Sequence, residues 1–342
     1  HIGLLKAKIA KLKREQEAIQ TKKSAKKSDG FDFRRTGDAT VVFIGLPSVG
    51  KSTLLNKLTG SKSSVGAFQF TTVTVVPGVL DYRGARIQML DLPGIIKGAS
   101  SGKGLGRRIL SVARSADIVL LVLDVFQPYH EDVLINELSN IGIRLNQEPP
   151  NIVIEKSTTG GIAVAQQVKL KKMSEKLLKD ILNVYGYTSA RVVIREDIDS
   201  EQLVDFITGN KTYAKAITVL NKIDLVDDKF LKRVSKKLKT DFITVSADAD
   251  VNISELRDRI YDELHFIRIY LRPKGGDTDY KEPLIIRDGS SVLDVCNKLH
   301  RRLRSDFRYG LAWGKSVKFG GQRVGLNHIL QDEDVLTIIK RR

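Results

Sequence analysis

The sequence predicts an α/β protein: a parallel-rich sheet wrapped by helices, with a small α/β domain inserted into it and a mixed sheet after it. Short apolar strands alternate with helical segments over residues 37–146 and again over 212–266. The alternation is interrupted over 147–211, and after residue 266 the order becomes strand, strand, helix and strands. Such alternation favours a parallel sheet that binds ligands at the carboxyl ends of its strands.

The first 36 residues predict a basic helical element. The stretch "HIGLLKAKIAKLKREQEAIQ" places Ile2, Leu5, Ile9 and Leu12 at helical spacing with lysines between them. The lysine-rich stretch "TKKSAKKSDG" that follows predicts a linker or a helix-connecting turn. Because His1 is not a natural start, we expect further residues upstream.

Residues 37–146 and 212–266 predict the main domain. Its predicted strands are "TVVFIGL", "ARIQMLDLPG", "DIVLLVLDV" and "YAKAITVLNKID". Its predicted helices are "KSTLLNKLTG", "GRRILSVARSA", "HEDVLINELSNIG" and "NISELRDRIYDEL". Helices between parallel strands cover both faces of the sheet, so the strands are expected to be buried.

Residues 147–211 predict an inserted small α/β domain. The stretch "NIVIEKSTTGGIAVAQQV" predicts a hairpin that turns at Gly160 and Gly161. A helix, a strand and a second helix are predicted in "SEKLLKDILNVYGY", "SARVVIRED" and "SEQLVDFITGN". A structureless loop of this length would be unusual in a compact domain, which favours an insertion.

Residues 267–342 predict a third domain, a mixed sheet that holds one helix. The strands lie in "FIRIYLRPKGG", "EPLIIRDG", "SVKFGGQRVGL" and "DEDVLTIIKRR", and the helix lies in "SVLDVCNKLHRRLRS". This order fits a ubiquitin-like β-grasp fold.

The net charge of +17 favours a polyanionic partner such as RNA, DNA or the ribosome. The alternative is a solvated lysine and arginine surface. The basic residues cluster in the N-terminal element and near the helix of the third domain, where the cluster comprises Lys298, Arg301, Arg302, Arg304 and Arg308. Each cluster could bind RNA or be a solvated face. Tyr309 and Trp313 could stack on bases or pack under a loop.

Several classes of protein are excluded by composition. No apolar run is long enough to span a bilayer and no secretory pattern opens the chain, so a cytoplasmic protein without a membrane partner is expected. The single cysteine, Cys296, excludes an intrachain disulfide and a thiolate metal cluster. The five histidines are scattered, which argues against a histidine-based metal site.

A phosphate-binding loop is predicted between the first strand and the first helix. The stretch "GLPSVGKS" matches G-x-x-x-x-G-K-[ST], whose glycines let backbone N–H groups face phosphates. Lys51 supplies a positive charge to the β- and γ-phosphates, and Ser52 supplies a hydroxyl to Mg²⁺. The residues expected to bind here are Gly45, Pro47, Ser48, Val49, Gly50, Lys51, Ser52 and Thr53.

Two further segments are expected at the γ-phosphate. Asp91 ends a strong apolar strand, where its carboxylate can hold Mg²⁺ through water, and the Gly94 N–H can meet the γ-phosphate. In "QFTTVTVVPG", either Thr71 or Thr72 could close on Mg²⁺ when GTP is bound. The residue after Gly94 is Ile95, whose aliphatic side chain cannot orient water.

The base is predicted by "NKID" and by "VSADAD". The Asp224 carboxylate can accept hydrogen bonds from guanine N1–H and from the exocyclic amine, a pair that adenine does not offer. Lys222 can lie along the base, and Asn221 can join the phosphate loop to this one. Ser246 and Ala247 suit a backbone N–H contact to guanine O6.

Together, "GLPSVGKSTLLNKLTG", "FQFTTVTVVPGV", "IQMLDLPGIIKGA", "VLNKID" and "DEDVLTII" resemble the developmentally regulated GTP-binding proteins, a branch of the Obg group of translation-associated GTPases. The resemblance covers essentially the whole chain. It implies an N-terminal helical hairpin, a P-loop GTPase domain interrupted by a unit similar to domain 2 of a ribosomal protein, and a C-terminal TGS domain of β-grasp type.

The resemblance also bears on residues and partners. It implies that Thr72, rather than Thr71, senses Mg²⁺. Potassium-activated GTPases often carry asparagine where this loop has Ser48, which leaves K⁺ dependence open. Eukaryotic relatives work with a regulatory partner protein, and the resemblance leaves open whether this chain has such a partner.

The predicted function is slow hydrolysis of GTP to GDP and phosphate, used as a switch on the ribosome or RNA by a monomer. The expected catalytic residues are Lys51, Thr72 and Gly94, and the expected Mg²⁺ ligands are Ser52, Thr72 and Asp91. Because of Ile95, another group must place the attacking water. The alternative is a GTP-controlled RNA- or ribosome-binding module in which hydrolysis only resets binding.

Overall fold

The computed structural model describes residues 36–60, 68–70, 73–92, 112–300 and 302–341, with the side chains of 68–70 and 73–75 left out. The predicted N-terminal helical element therefore lies outside the described residues, except for Thr36. No helix in the described ranges is both long and apolar enough to cross a bilayer.

The described residues form sixteen strands. They are β1 (Ala39–Ile44), β2 (Phe68–Phe70), β3 (Val73–Tyr82), β4 (Ala85–Asp91), β5 (Ile118–Asp124), β6 (Ile143–Leu145), β7 (Ile152–Lys156), β8 (Ile162–Gln166), β9 (Ala190–Ile194), β10 (Thr212–Asn221), β11 (Phe242–Thr244), β12 (Phe266–Leu271), β13 (Leu284–Arg287), β14 (Phe307–Trp313), β15 (Gln322–Val324) and β16 (Val335–Lys340).

The helices follow the same order. They are α1 (Lys51–Thr59), α2 (His130–Asn140), α3 (Glu175–Val184), α4 (Ser200–Thr208), α5 (Asp228–Ser235), α6 (Ile253–Glu263), α7 (Val292–Leu299) and α8 (Arg302–Asp306). A 3₁₀ helix spans Ile223–Leu225.

The described chain divides into two compact units. The smaller is Asn146–Tyr213, and the larger combines residues 36–145 with 214–341. The larger unit contains a sheet of order β11-β10-β5-β1-β4-β3-β2, with β6 beside β10. Strands β4, β1, β5, β10 and β11 run parallel, whereas β3 is antiparallel to β4 and to β2. The predicted parallel-rich sheet is confirmed.

The central strands of this sheet are buried on both faces. Along β1, Val41 and Phe43 face one apolar cluster, and Val42 and Ile44 face another. The first cluster includes residues of α1 and α6, and the second includes residues of α2 and α5. Helices on both faces explain why these strands are continuous apolar runs rather than alternating ones.

Parallel register brings the carboxyl ends of the strands together. Phe43 lies opposite Asp91, and Asn221 lies opposite Asp124. The polar residues that end β4, β5 and β10 therefore meet at one edge of the sheet, beside the loop that follows β1. This is the edge at which open parallel sheets bind ligands.

The C-terminal part of the larger unit is a mixed sheet of order β13-β12-β16-β14-β15. Its apolar cluster includes Val292, Val295 and Cys296 of α7. Cys296 is fully buried, and burial raises the pKa of its thiol. The predicted mixed sheet is confirmed, but the single helix predicted in "SVLDVCNKLHRRLRS" is two helices, α7 and α8, because the chain is extended at His300.

This sheet attaches to the main sheet at the edge opposite the carboxyl ends. Ile285 of β13 belongs to the same apolar cluster as Val41 of β1. Lys298 Nζ lies 2.7 Å from Asp38 Oδ1, just before β1, and Arg287 pairs with Asp117, just before β5. The carboxyl-end edge is thus left to the ligand.

The smaller unit has a three-stranded sheet of order β7-β9-β8, covered by α3 and α4. Gly160 and Gly161 have φ of 98° and 69° and turn the chain between β7 and β8. The predicted hairpin is nevertheless wrong, because β9 lies between the two strands and pairs with both. Val192 and Ile194 of β9 are completely buried, so the more apolar strand takes the central position.

Candidate nucleotide-binding site

The phosphate loop joins β1 to α1 in a conformation that requires its glycines. Gly50 has φ of 90°, in the left-handed region, and a Cβ there would clash with Nδ2 of Asn221. A Cβ on Gly45 would lie 2.5 Å from the carbonyl oxygen of Val122. Ser48 also has a positive φ, 63°. The loop therefore packs closely on neighbouring strands before α1 begins, and it presents the free N–H groups of that helix to a ligand.

Lys51, the first residue of α1, folds back across this loop. Its Nζ donates to the carbonyl oxygens of Gly45 at 3.3 Å and of Leu46 at 3.0 Å. Burial lowers the pKa of its ammonium, and the nearby Asp91 carboxylate opposes that shift. A partly desolvated cation at a helix N-terminus is well placed to attract phosphate oxygens.

Ser52 and Asp91 form a pair of oxygen donors. Ser52 Oγ donates to Asp91 Oδ2 at 2.5 Å. Asp91 is buried, which raises the pKa of its carboxyl group, although Ser52 and Lys51 oppose the shift. Its Oδ1 atom is also buried and has no hydrogen-bond partner among the described residues. A buried carboxylate oxygen without a partner needs a ligand, and Mg²⁺ or its bound water would satisfy it. These residues fit Mg²⁺.

Asn221, at the end of β10, joins the phosphate loop to the loop after β11. Its Nδ2 donates to the Val49 carbonyl oxygen at 2.9 Å, and its Oδ1 accepts from the Ala247 N–H at 3.0 Å. The residue is 2% exposed. Both polar ends of this buried amide are satisfied, so the two loops are held at a fixed separation.

Lys222 is held by two contacts. Its backbone is left-handed, with φ of 70°, and its Nζ donates to the Ser48 carbonyl oxygen at 2.8 Å and to Asp124 Oδ2 at 2.7 Å. Asp124 was not among the predicted site residues. The available signal was its position at the end of the apolar strand "DIVLLVLD", which brings it to the same edge as Asn221.

Asp224 is exposed in the 3₁₀ helix, and no described residue hydrogen-bonds to its carboxylate. The loop after β11 differs from expectation. The Ala247 N–H donates to Asn221, and the Ser246 N–H donates to the Val251 carbonyl oxygen at 3.1 Å. In this conformation the N–H groups assigned to guanine O6 are therefore used within the protein.

Three of the expected residues at the γ-phosphate are not described. Thr71, Thr72 and Gly94 lie outside the described residues, as does Ile95. The remaining site residues are brought together at one edge of the main sheet. The described geometry can hold a phosphate chain, a divalent cation and a base. Which residues place the attacking water stays a prediction.

Comparison with protein families accounts for most of the chain. Residues 40–156 match a family described as 50S ribosome-binding GTPase. Residues 159–266 match the family that covers the C-terminal region of that GTPase domain, and residues 267–340 match the TGS domain.

Curated relatives match over the full length of this chain. A GTP-binding protein of Methanocaldococcus jannaschii is 51% identical over 100% of this chain and 88% of its own length. Developmentally-regulated GTP-binding protein 1 of Xenopus laevis is 43% identical, and developmentally-regulated GTP-binding protein 2 of Homo sapiens is 42% identical, each over 100% of this chain and 93% of its own length. The predicted resemblance is confirmed, and the chain belongs to the family of developmentally regulated GTP-binding proteins, GTPases with a TGS domain.

Proposed function

We propose that this GTPase uses Mg²⁺, hydrolyses GTP slowly on its own, and acts as a nucleotide-dependent switch on the ribosome or RNA. The observation that carries the proposal is the group formed by Lys51, Ser52 and Asp91. A buried ammonium, a hydroxyl and a carboxylate lie together at the N-terminus of α1, and one carboxylate oxygen has no partner in the described part of the chain. This combination suits a phosphate chain with a divalent cation.

The chain's own residues would support hydrolysis by charge and position. Lys51 exchanges its carbonyl contacts for phosphate oxygens and offsets the charge that develops during transfer. Ser52, Asp91 and Thr72 are the residues that would hold Mg²⁺, Asp91 through water. When bound, Mg²⁺ neutralises charge on the β- and γ-phosphate oxygens. The Gly94 N–H would donate to the γ-phosphate.

The intrinsic rate is expected to be low because of Ile95. An aliphatic side chain can neither donate to nor accept from the attacking water, so the water is left unoriented. A polar group from another part of the chain, a K⁺ ion or a bound partner would complete the site. In other GTPases, completion in trans raises the rate by about 10³- to 10⁵-fold.

A role on the ribosome or RNA is supported by two observations. The family matched by residues 40–156 is described as a ribosome-binding GTPase. The chain also carries a net charge of +17, which suits a polyanion. The alternative is a GTP-controlled binding module that hydrolyses GTP only to reset itself. It would use the same residues, and a turnover assay with and without ribosomes distinguishes it from the proposed switch.

Changing Asp224 to asparagine should move base preference away from guanine. The substituted amide would present an N–H group to the guanine N1–H and amine, so GTP affinity should fall about 10- to 100-fold. Xanthosine triphosphate, which offers a carbonyl in place of the amine, should bind more tightly than to the unaltered chain. The measurement is the Kd of GTP, ATP and xanthosine triphosphate, and Asp228→Asn, an exposed residue of α5, is the matched control. Unchanged discrimination would refute the guanine assignment.

Changing Ser52 to alanine should weaken the contribution of Mg²⁺. Titration of GTP with and without Mg²⁺ gives the factor by which the ion tightens binding. That factor should drop about tenfold or more, because one oxygen donor to a charged group is lost. Ser254→Ala, on the exposed side of α6, should leave it unaltered. An equal Mg²⁺ effect in both variants would show that Ser52 is not a ligand.

Turnover with and without ribosomes should differ strongly. With Mg²⁺ but without ribosomes, we expect the protein to release phosphate from GTP slowly. Added ribosomes should raise this rate by about 10³-fold or more. Parallel assays in sodium and potassium identify a contribution of K⁺. Absence of turnover in every condition would exclude the GTPase switch, and turnover that ribosomes leave unaltered would exclude completion of the site by the ribosome.

A further inference from the structure

The C-terminal sheet has one apolar face and one aromatic and basic face. Gly310, Ala312, Val324 and Leu336 point to the face that packs with α7. Strand alternation sends their neighbours to the opposite face. Pairing across the strands places the following residues together on that opposite face: Tyr270, Tyr309, Leu311, Trp313, Arg323, Val335, Thr337 and Ile339.

Two arginines converge on one ring of this face. The Arg323 guanidinium lies 4.2 Å from the centre of the Tyr309 ring, and that of Arg308 lies 5.9 Å from the same centre. Both arginines are exposed, and neither forms an ion pair with a carboxylate of the described chain. Two exposed like charges beside one ring repel each other, and an anion between them would relieve that repulsion.

The same face carries further aromatic contacts. The Arg272 guanidinium lies 5.1 Å from the centre of the Trp313 ring, and the Tyr270 and Tyr280 ring centres are 5.0 Å apart. Tyr280 is 65% exposed. Trp313 lies against Gly320 and Gly321, so it packs under the loop between β14 and β15 rather than standing free for a base. The loop that covers it ends in Lys318 and Phe319, both exposed.

We propose that this aromatic and basic face binds a single-stranded segment of RNA, with Tyr309 stacking on a base and with Arg308 and Arg323 contacting the flanking phosphates. The inference rests on the proposed role on the ribosome or RNA and gives that role a contact surface. Stacking needs a ring that solvent reaches, and phosphate contacts need cations that no carboxylate of the described chain neutralises. Tyr309 is half-buried, and the two arginines beside it are exposed.

Single-stranded RNA suits this face better than a duplex does. In a duplex the bases are stacked on each other, so only phosphates would reach the sheet and the rings would contribute nothing. Unpaired bases stack on aromatic side chains and on guanidinium groups with little sequence preference. Three arginines, Arg272, Arg308 and Arg323, contact rings of this face. Their charge favours a polyanion over an apolar protein segment.

The test uses the full chain, a fluorescent unstructured RNA of about 12 nucleotides, and a duplex of the same length. Changing Arg308 and Arg323 together to glutamine should weaken single-strand binding about 5- to 100-fold. The slope of log Kd against the logarithm of the salt concentration should also fall by about 1.4, because two phosphate contacts are lost. Tyr309→Leu, which keeps an apolar side chain opposite Ile339, should weaken binding as well, whereas Tyr309→Phe should not.

The matched control changes Lys236 and Lys237, exposed just after α5, to glutamine. It removes the same charge outside the C-terminal sheet, and it should alter Kd by less than about twofold. Thermal unfolding and GTP affinity, measured on each variant, report that the fold is retained.

Equal losses in the arginine pair and in the lysine control pair, or unaltered binding by Tyr309→Leu, would overturn the assigned face while leaving RNA association intact. Duplex binding that is as tight as single-strand binding, with the same losses, would overturn stacking. If the unaltered chain binds no RNA, both the face and the RNA role fail, and GTP turnover still decides separately whether the chain is a GTPase switch.

Discussion

The nucleotide site depends on the buried amide of Asn221. This one side chain donates to the phosphate loop at Val49 and accepts from the loop after β11 at Ala247. Gly50 packs so closely on the amide that a Cβ there would clash with it. Because both ends of the amide are satisfied, its burial is not penalised, whereas an unsatisfied buried partner would cost about 1 to 3 kcal/mol. The parts of the site that bind phosphate and base are therefore held by one group.

The amide can do this only because the sheet fixes where the strands end. The parallel register places Asn221 opposite Asp124 and Asp91 opposite Phe43. Apolar clusters cover both faces of these strands, so a slip of one residue would send apolar side chains to the wrong cluster. Lys222 adds a second link, from the phosphate loop to Asp124. The TGS domain attaches at the opposite edge, so it leaves the ligand edge uncovered.

Sequence reasoning found the parts of this arrangement that are contiguous. The phosphate loop and "NKID" are short motifs at strand ends, so their positions and the parallel sheet followed from pattern alone. Asp124 ends an apolar strand as Asp91 does, but it was missed because no recognisable motif follows it. The Ala247 N–H could donate to guanine O6 or to Asn221 Oδ1, and only the packing of the two loops decides between these acceptors. The hairpin between β7 and β8 was predicted from a local turn, but the nonlocal pairing of β9 with both strands displaced it.

The most direct test of the central role of Asn221 is the affinity of Asn221→Asp for GDP, GTP and ATP. The substitution preserves size but replaces the donor to Val49 with a carboxylate oxygen that faces a carbonyl. We expect GDP and GTP affinities to fall by a similar factor of about tenfold or more, while preference over ATP, set by Asp224, is retained. Asn297→Asp, exposed on α7, makes the same change in charge as a control. Unaltered GDP affinity, or a loss of guanine preference alone, would contradict the account.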